Sequence, residues 1–390
     1  MRRLLAACSE RARSGADGHA YSLDFSLAPS RTDAHEFYAQ ARNAGPVCFD
    51  AVNSQWMVVG YEAAVWAFKH PEILSSKYSG DFDPFVVGND PPEHTRYRKI
   101  LARAMAGCDA AMVESYTSEW MDSFSKRTRE SAGLFDAVTD LACPLPEAFT
   151  GLMLGLDNEE TQRLISMRPD NRTQLTQSWP SVTSCFEQIV RDGRRGKREG
   201  VLGALYSLSG DDALSDAEMV GLLRLLWFAG TSTSTHFLPS MLLLMLRRPD
   251  VSGGIRSDRR LLQSFINEAL RMEGPTGVLP RKAVEDYELE GVKIPANAMV
   301  KICILAANGD PAAFPEPRSI RYNRTAASVA FGHGIHFCLG AMIAKTMAAT
   351  VAGFLMDRFP DMQAAQDLDR VTYEPSDAFR SIRSLQVKLC

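Results

Sequence analysis

Apolar residues recur at helical spacing along most of the chain. DAHEFYAQARNAG (33–45) is amphipathic and stops at Gly45, a helix with its C-terminal signal. VCFDAV and QWMVVG, on either side of Asn53-Ser54, read as a strand pair around a turn. EAAVWAFKH is helical as far as His70, because Pro71 disfavours helical geometry in the residue before it. Residues 75–92 are rich in Gly, Pro and Asp and predict a long loop, a kind usually kept for function. EHTRYRKILARAMA, MVESYTSEWMDSFSKRTRE and PEAFTGLMLGL return to helix; residues 163–197 are more polar, with a break at Trp179-Pro180. The longest apolar run is Met219–Leu246. Ser215 and Glu218 form a capping box just ahead of it. A helix from there to Arg247 would be about 45 Å long at ~1.5 Å per residue, kinked or weakened at Pro239. Another helix opens at Ser257-Asp258. After Pro275, short β-type runs alternate with turn residues, before a helix from about Gly340 to Phe359 and a last short hairpin within 371–390. The pattern predicts a mostly α fold with a small β part segregated along the sequence. It predicts one domain over 1–390, with residues 1–20 a frayed terminus or short helix.

Five consecutive hydroxyl residues, Thr231 to Thr235, interrupt the apolar run. Buried hydroxyls need hydrogen-bond partners. The run is long enough to span a bilayer, but Arg224, the hydroxyls, His236 and Pro239 argue for a buried helix in a large helical protein. The 390 residues carry a formal net charge of -4, which implies no attraction to nucleic acid. Eight cysteines without a CxxC pair read as reduced thiols of a cytoplasmic protein. The start, MRRLLAACSERAR, imitates a lipoprotein signal, but its apolar part is shorter than a signal requires.

The stretch with the sharpest chemistry is FGHGIHFCLGAMIAK, Phe331 to Lys345. Gly332, Gly334 and Gly340 bracket Cys338 and permit tight backbone turns. Cys338 lies just before a helix start, where unpaired N–H groups and the helix dipole stabilise a thiolate. Such a thiolate suits a soft metal centre. A buried cysteine beside a turn is the plainer reading of the same residues.

This segment resembles the haem-binding loop of the cytochrome P450 family, F-G-x-G-x-H-x-C-x-G, at Phe331, Gly332, Gly334, His336, Cys338 and Gly340. The resemblance implies the family's triangular helical fold, with haem b held between a long distal helix and a proximal helix. It makes Cys338 the axial iron ligand, a thiolate that favours O–O cleavage. Phe331, Gly332 and Gly340 shape the ligand loop, and His336 reaches a propionate. Glu268 and Arg271 in EALR resemble the E-x-x-R pair, completed by Arg324, with Arg321 where an Asp is usual. His94 and Arg98 resemble the H-x-x-x-R pair, and Arg281 a third propionate ligand; outside the family each would be an ordinary surface cation.

AGTST, Ala229 to Thr233, resembles the A-G-x-[DE]-T motif. Ala229 and Gly230 would leave room above the iron, and Thr233 would steady oxygen and its protonating water. Ser232 stands where relatives carry an acid, and a serine is no charged proton donor. The competing reading has these hydroxyls bonded back to i−4 carbonyls, and it is preferred for Ser234 and Thr235. The resemblance implies a monooxygenase that hydroxylates or dehydrogenates a small organic substrate, with electrons from an external ferredoxin or flavodoxin; Arg96, Lys99, Arg103 and Lys345 are candidates for a docking patch, though each alone reads as a plain solvated charge. A monomer and a role in secondary metabolism are expected. Oxidative C–C or C–O coupling, peroxide-driven chemistry, and a haem-thiolate sensor stay open. The pocket is expected to include Phe82, Phe85, Val86, Val87, Phe228, Thr231, Val278, Leu279 and Phe379.

Overall fold

The computed structural model describes residues 24–77, 86–168, 178–193 and 197–390. The chain begins with α1 (Ala34–Arg42), the strand pair β1 (Val47–Asp50) and β2 (Gln55–Val58), then α2 (Tyr61–Lys69) and β3 (Leu74–Ser75). Helices α3 (Glu93–Ala104) and α4 (Ala110–Glu130) follow, then β4 (Leu134–Asp136) and a π-helical turn over Ala137–Ala142. Next come α5 (Pro144–Leu154), α6 (Asn158–Ser166), α7 (Trp179–Gly193) and α8 (Gly200–Tyr206). The long helix α9 (Asp216–Arg247), α10 (Pro249–Ser257) and α11 (Leu261–Glu273) complete the helical run. Strands β5 (Val278–Ala283), β6 (Tyr287–Leu289), β7 (Val292–Ile294) and β8 (Met299–Cys303) lead to α12 (Ile304–Asn308). The chain then forms α13 (Ala341–Arg358), β9 (Gln363–Ala364) and β10 (Gln386–Lys388).

The residues group into two compact units, each assembled from separate stretches of chain. The first takes the chain up to residue 78, Asn267–Cys338 and Pro375–Arg380. Its centre is a five-stranded sheet in the order β1-β2-β8-β5-β3. Strand β2 runs parallel to β8, with Trp56 opposite Val300, and β5 is antiparallel to β8, with Leu279 opposite Ile302. The β part therefore draws on the N-terminal strand pair as well as on the segment after Pro275. One side carries a core of Val58, Ala64, Phe68, Val300 and Ile302; a second cluster gathers Phe25, Tyr38, Met57, Val278 and Cys303.

The second unit takes residues 79–266, Leu339–Glu374 and Ser381–Cys390, and is chiefly helical. Helix α9 is its axis. Its start is the expected capping box: Ser215 Oγ accepts from Glu218 N–H, and Glu218 accepts from Ser215 N–H. The helix runs unbroken through Pro239. Met241, Leu242 and Leu243 around that proline are almost fully buried, and such packing offsets the lost backbone hydrogen bond. No helix among the described residues is long and apolar enough to cross a membrane. The expected C-terminal hairpin is reduced to a short ladder: Arg383 N–H donates to Thr372 O and Glu374 N–H to Ser381 O. Beyond it, β10 pairs with β4 and β9 in a three-stranded sheet.

Candidate active site

The Cys338 loop belongs to the first unit. Gly332 and Gly334 have φ of 69° and 67°, the left-handed region that a side chain resists. A Cβ on Gly334 would also lie 2.4 Å from the Phe68 carbonyl oxygen, so α2 presses on this backbone. A single 3-10 turn spans Gly334–His336, and Cys338 N–H then donates to Phe331 O at 2.9 Å, closing the loop. The Cys338 thiol is half-buried and lies three positions ahead of α13 in the chain. Phe331 packs at 6.3 Å from Phe337. The Nε2 of His336 lies 3.0 Å from Ser76 Oγ. Strand β5 buries Arg281 to 4% exposure, its guanidinium 5.9 Å from the Phe68 ring centroid. A soft sulfur donor and a deeply buried cation on one loop-and-strand scaffold suit an iron porphyrin carrying anionic propionates.

Behind that loop, Glu268 and Arg271 meet on one turn of α11. Arg271 Nε donates to Glu268 Oε1 at 2.7 Å, and Arg324 Nε to Oε2 at 2.8 Å. Arg321 supplies its backbone N–H to Oε2. Arg271 Nη1 also donates to the carbonyls of Asn308 and Pro317. Burial opposes ionisation of Glu268, but the bonds from Arg271 and Arg324 outweigh it and hold the carboxyl below the ordinary range. A second buried cluster, without any local sequence signal, lies at the end of α11. Glu273 accepts from Arg380 Nε at 2.6 Å and lies 3.0 Å from His35 Nε2. Arg380 also donates to the carbonyls of Pro29 and Arg31. Burial lowers the His35 pKa against the pull of Glu273.

In the second unit, α3 carries His94 and Arg98 one turn apart. His94 is 3% exposed; burial, and then Arg98, push its pKa down. Along α9, Thr231, Ser232 and Thr233 donate back to the carbonyls of Trp227, Phe228 and Ala229 at 2.8, 2.9 and 2.8 Å. The i−4 pattern thus extends to Thr233 in this resting geometry. Thr235 does otherwise: its hydroxyl donates to Ala142 O at 2.9 Å, tying α9 to the π-helical turn. A Cβ on Gly230 would lie 2.7 Å from Thr150 Oγ1, so this glycine serves the close approach of α5.

A cavity beside α9 is lined by Phe228 and Thr231, and also by Glu147, Arg168, Trp179 and Arg224. Trp179 meets Phe228 edge-on at 5.7 Å, and Arg224 stacks over Trp179 at 4.7 Å. The charged members were not foreseen, because nothing in their local pattern sets them apart from surface charges. Val278 departs from its expected place on a pocket wall: it is 4% exposed in the Phe25–Tyr38 core. Leu279 packs against the sheet core. Phe379 forms an isolated antiparallel bridge with Thr276. Val86 is buried and Val87 exposed; Phe82 and Phe85 lie outside the described residues. Of the cations expected to dock a redox protein, Arg96 is engaged by Glu218 at 2.7 Å and Arg103 by Asp212 at 2.6 Å. Lys99 is exposed and Lys345 half-buried.

A thiolate loop, a buried E-x-x-R network and a long hydroxyl-bearing helix define a haem-thiolate enzyme. The chain belongs to the cytochrome P450 family, whose model matches residues 181–375. It is 28% identical over 380 residues to the cytochrome P450 monooxygenase PikC of Streptomyces venezuelae, covering 91% of each chain. It is 30% identical over 319 residues to cytochrome P450 CYP107DY1 of Priestia megaterium, covering 78% of this chain and 76% of that one. The crystal structure of HmtN, a post-tailoring hydroxylase involved in himastatin biosynthesis, superposes with a TM-score of 0.83 at 25% identity, over 92% of this chain and 97% of that one. The protein is an enzyme of the P450 monooxygenase type.

Proposed function

We propose that the chain acts as one haem domain that inserts oxygen into, or dehydrogenates, a small organic substrate in secondary metabolism. The observation that carries the reading is the Cys338 loop, where two left-handed glycines and the Cys338 N–H bond to Phe331 hold the thiol ahead of α13. Cys338 would ligate haem b. Arg281, His336, His94 and Arg98 would neutralise its propionates, since a propionate buried without a counter-charge costs on the order of several kcal/mol. Bound haem supplies the reductive activation of dioxygen.

The chain's own groups do the rest. The small Ala229 would leave room along α9, Gly230 lets α5 approach, and the Thr233 hydroxyl, which donates to Ala229 O, would turn to hold a water. Phe228 and Thr231 help to shape the substrate site beside α9. Electrons come from a separate ferredoxin or flavodoxin in the cytoplasm. The himastatin link of HmtN supports the metabolic setting. The reduced, carbonyl-bound protein should show the red-shifted Soret band of thiolate ligation. Cys338→Ala should lose that band and Cys303→Ala, altered in the sheet core, should keep it. A thiolate spectrum retained in Cys338→Ala would overturn the assignment.

A further inference from the structure

Insertion of one oxygen atom consumes O2, two electrons and two protons, and releases the second oxygen atom as water. Position 232, where an acid is usual, holds a serine. Helix α5 supplies a carboxyl at the same level of α9. Two contacts set the register of the pair. Thr235 Oγ1 donates to Ala142 O, just ahead of α5, and Gly230 faces Thr150 so closely that a Cβ would lie 2.7 Å from its hydroxyl. The two helices therefore run antiparallel, and interpolation between these contacts brings Glu147 level with Ser232. Glu147 sits one turn before Thr150 on the same face of α5. Glu147, Thr231, Ser232, Thr235 and His236 line a single cavity of ≈ 50 Å³. That is room for a few ordered waters at ~10–15 Å³ each.

We propose that Glu147 is the acid of the proton relay, passing protons through cavity water and the Ser232 hydroxyl toward Thr233. A hydroxyl both accepts and donates, so Ser232 can take a proton from the cavity side and release the one now directed at Phe228 O. Glu147 then recovers a proton from solvent along the Arg168 side chain, which pairs with it at 2.8 Å and is 36% exposed. The carboxyl ends each cycle as it began. Electrons come from NAD(P)H through the external redox protein, and the protons originate in water. Burial lifts the Glu147 pKa to about 7 against the pull of Arg168, so the group holds a transferable proton near neutrality. The other charged or titratable groups described on this cavity are Arg224 and His236 of α9; α7 contributes Ser178-flanked Trp179 and Val182.

The inference rests on the monooxygenase reading, and the test separates the two. Dealkylation of ethoxycoumarin with a non-native ferredoxin system is followed as product and hydrogen peroxide per NAD(P)H consumed. Glu147→Gln should lower product yield about tenfold and raise the peroxide share, with the carbonyl-bound Soret band unchanged. Glu147→Asp should restore part of the yield, and Ser232→Asp placed in Glu147→Gln most of it. Ser232→Ala admits a water and should cost less than Glu147→Gln. Wild-type yield should fall as pH rises through about 7, a limb absent from Glu147→Gln. Infrared titration of the resting protein should show a protonated carboxyl at pH 6 that Glu147→Gln lacks. Glu147→Gln coupled within twofold of wild type across pH, or an ionised Glu147 at pH 6, overturns the relay. A wild type that makes no dealkylated product counts against the monooxygenase reading, while the infrared band still decides the state of Glu147.

Discussion

Glu147→Gln also makes a thermodynamic prediction that needs no turnover. The side chain is 6% exposed. Burial raises its pKa from 4.5 to about 7, and Arg168 draws it only part of the way back. Between those two values the folded protein keeps a proton that the unfolded chain has released. The stability contributed by that proton is fully present below about 4.5 and is lost as pH rises through about 7. At about 1.4 kcal/mol per pH unit, the loss comes to about 3 kcal/mol. Glutamine has nearly the shape of the protonated acid and does not titrate. The variant should match wild type near pH 4.5 and exceed it by about 3 kcal/mol at pH 8. Urea unfolding of the haem-loaded proteins, followed by far-ultraviolet circular dichroism across this range, gives the difference directly. Groups common to both proteins cancel. A constant offset between the profiles, or a variant less stable than wild type at pH 8, would refute the buried, protonated carboxyl.

Glu268→Ala strips two arginines of their shared carboxylate and should destabilise the protein by about 3–5 kcal/mol in denaturant titration; a change under about 1 kcal/mol would show the network to be dispensable. Arg98→Ala and Arg281→Ala should lower haem content per protein, whereas Lys282→Ala should leave it unchanged, and equal occupancy in all three would count against the propionate assignment. Gly334→Ala combines a disfavoured φ of 67° with a collision against the Phe68 carbonyl, so its haem content should also drop. Normal incorporation there would mean that the loop relaxes freely.

Local signals in the chain specified much of this molecule. The capping box at Ser215 and Glu218 marked the start of α9, and the glycines around Cys338 marked a backbone that no other residue type adopts easily. The features that escaped are those set by distant partners. Glu147 lies in PEAFTGLML, where one carboxylate looks like the polar edge of an amphipathic helix; only the packing of α5 on α9 buries it. Val278 alternates as a strand residue should, but alternation does not say which side becomes core. Strand β4 is three residues long, too short for a periodic signal, and exists because β10 pairs with it. His35, Glu273 and Arg380 are each unremarkable in sequence and become a cluster only through tertiary folding.

That last cluster bears on how the chain is made. Arg380 donates to the carbonyl of Pro29, 351 positions earlier in the chain, and Glu273 meets His35 across 238. Strand β2 must likewise wait for β8, which pairs Trp56 with Val300. At ~5–20 residues per second of synthesis, the N-terminal segment emerges tens of seconds before its partners exist. During that interval Phe25, Trp56 and Met57, all buried in the finished protein, have no core to enter. The opening segment of the first unit therefore completes its contacts only after nearly the whole chain has been translated.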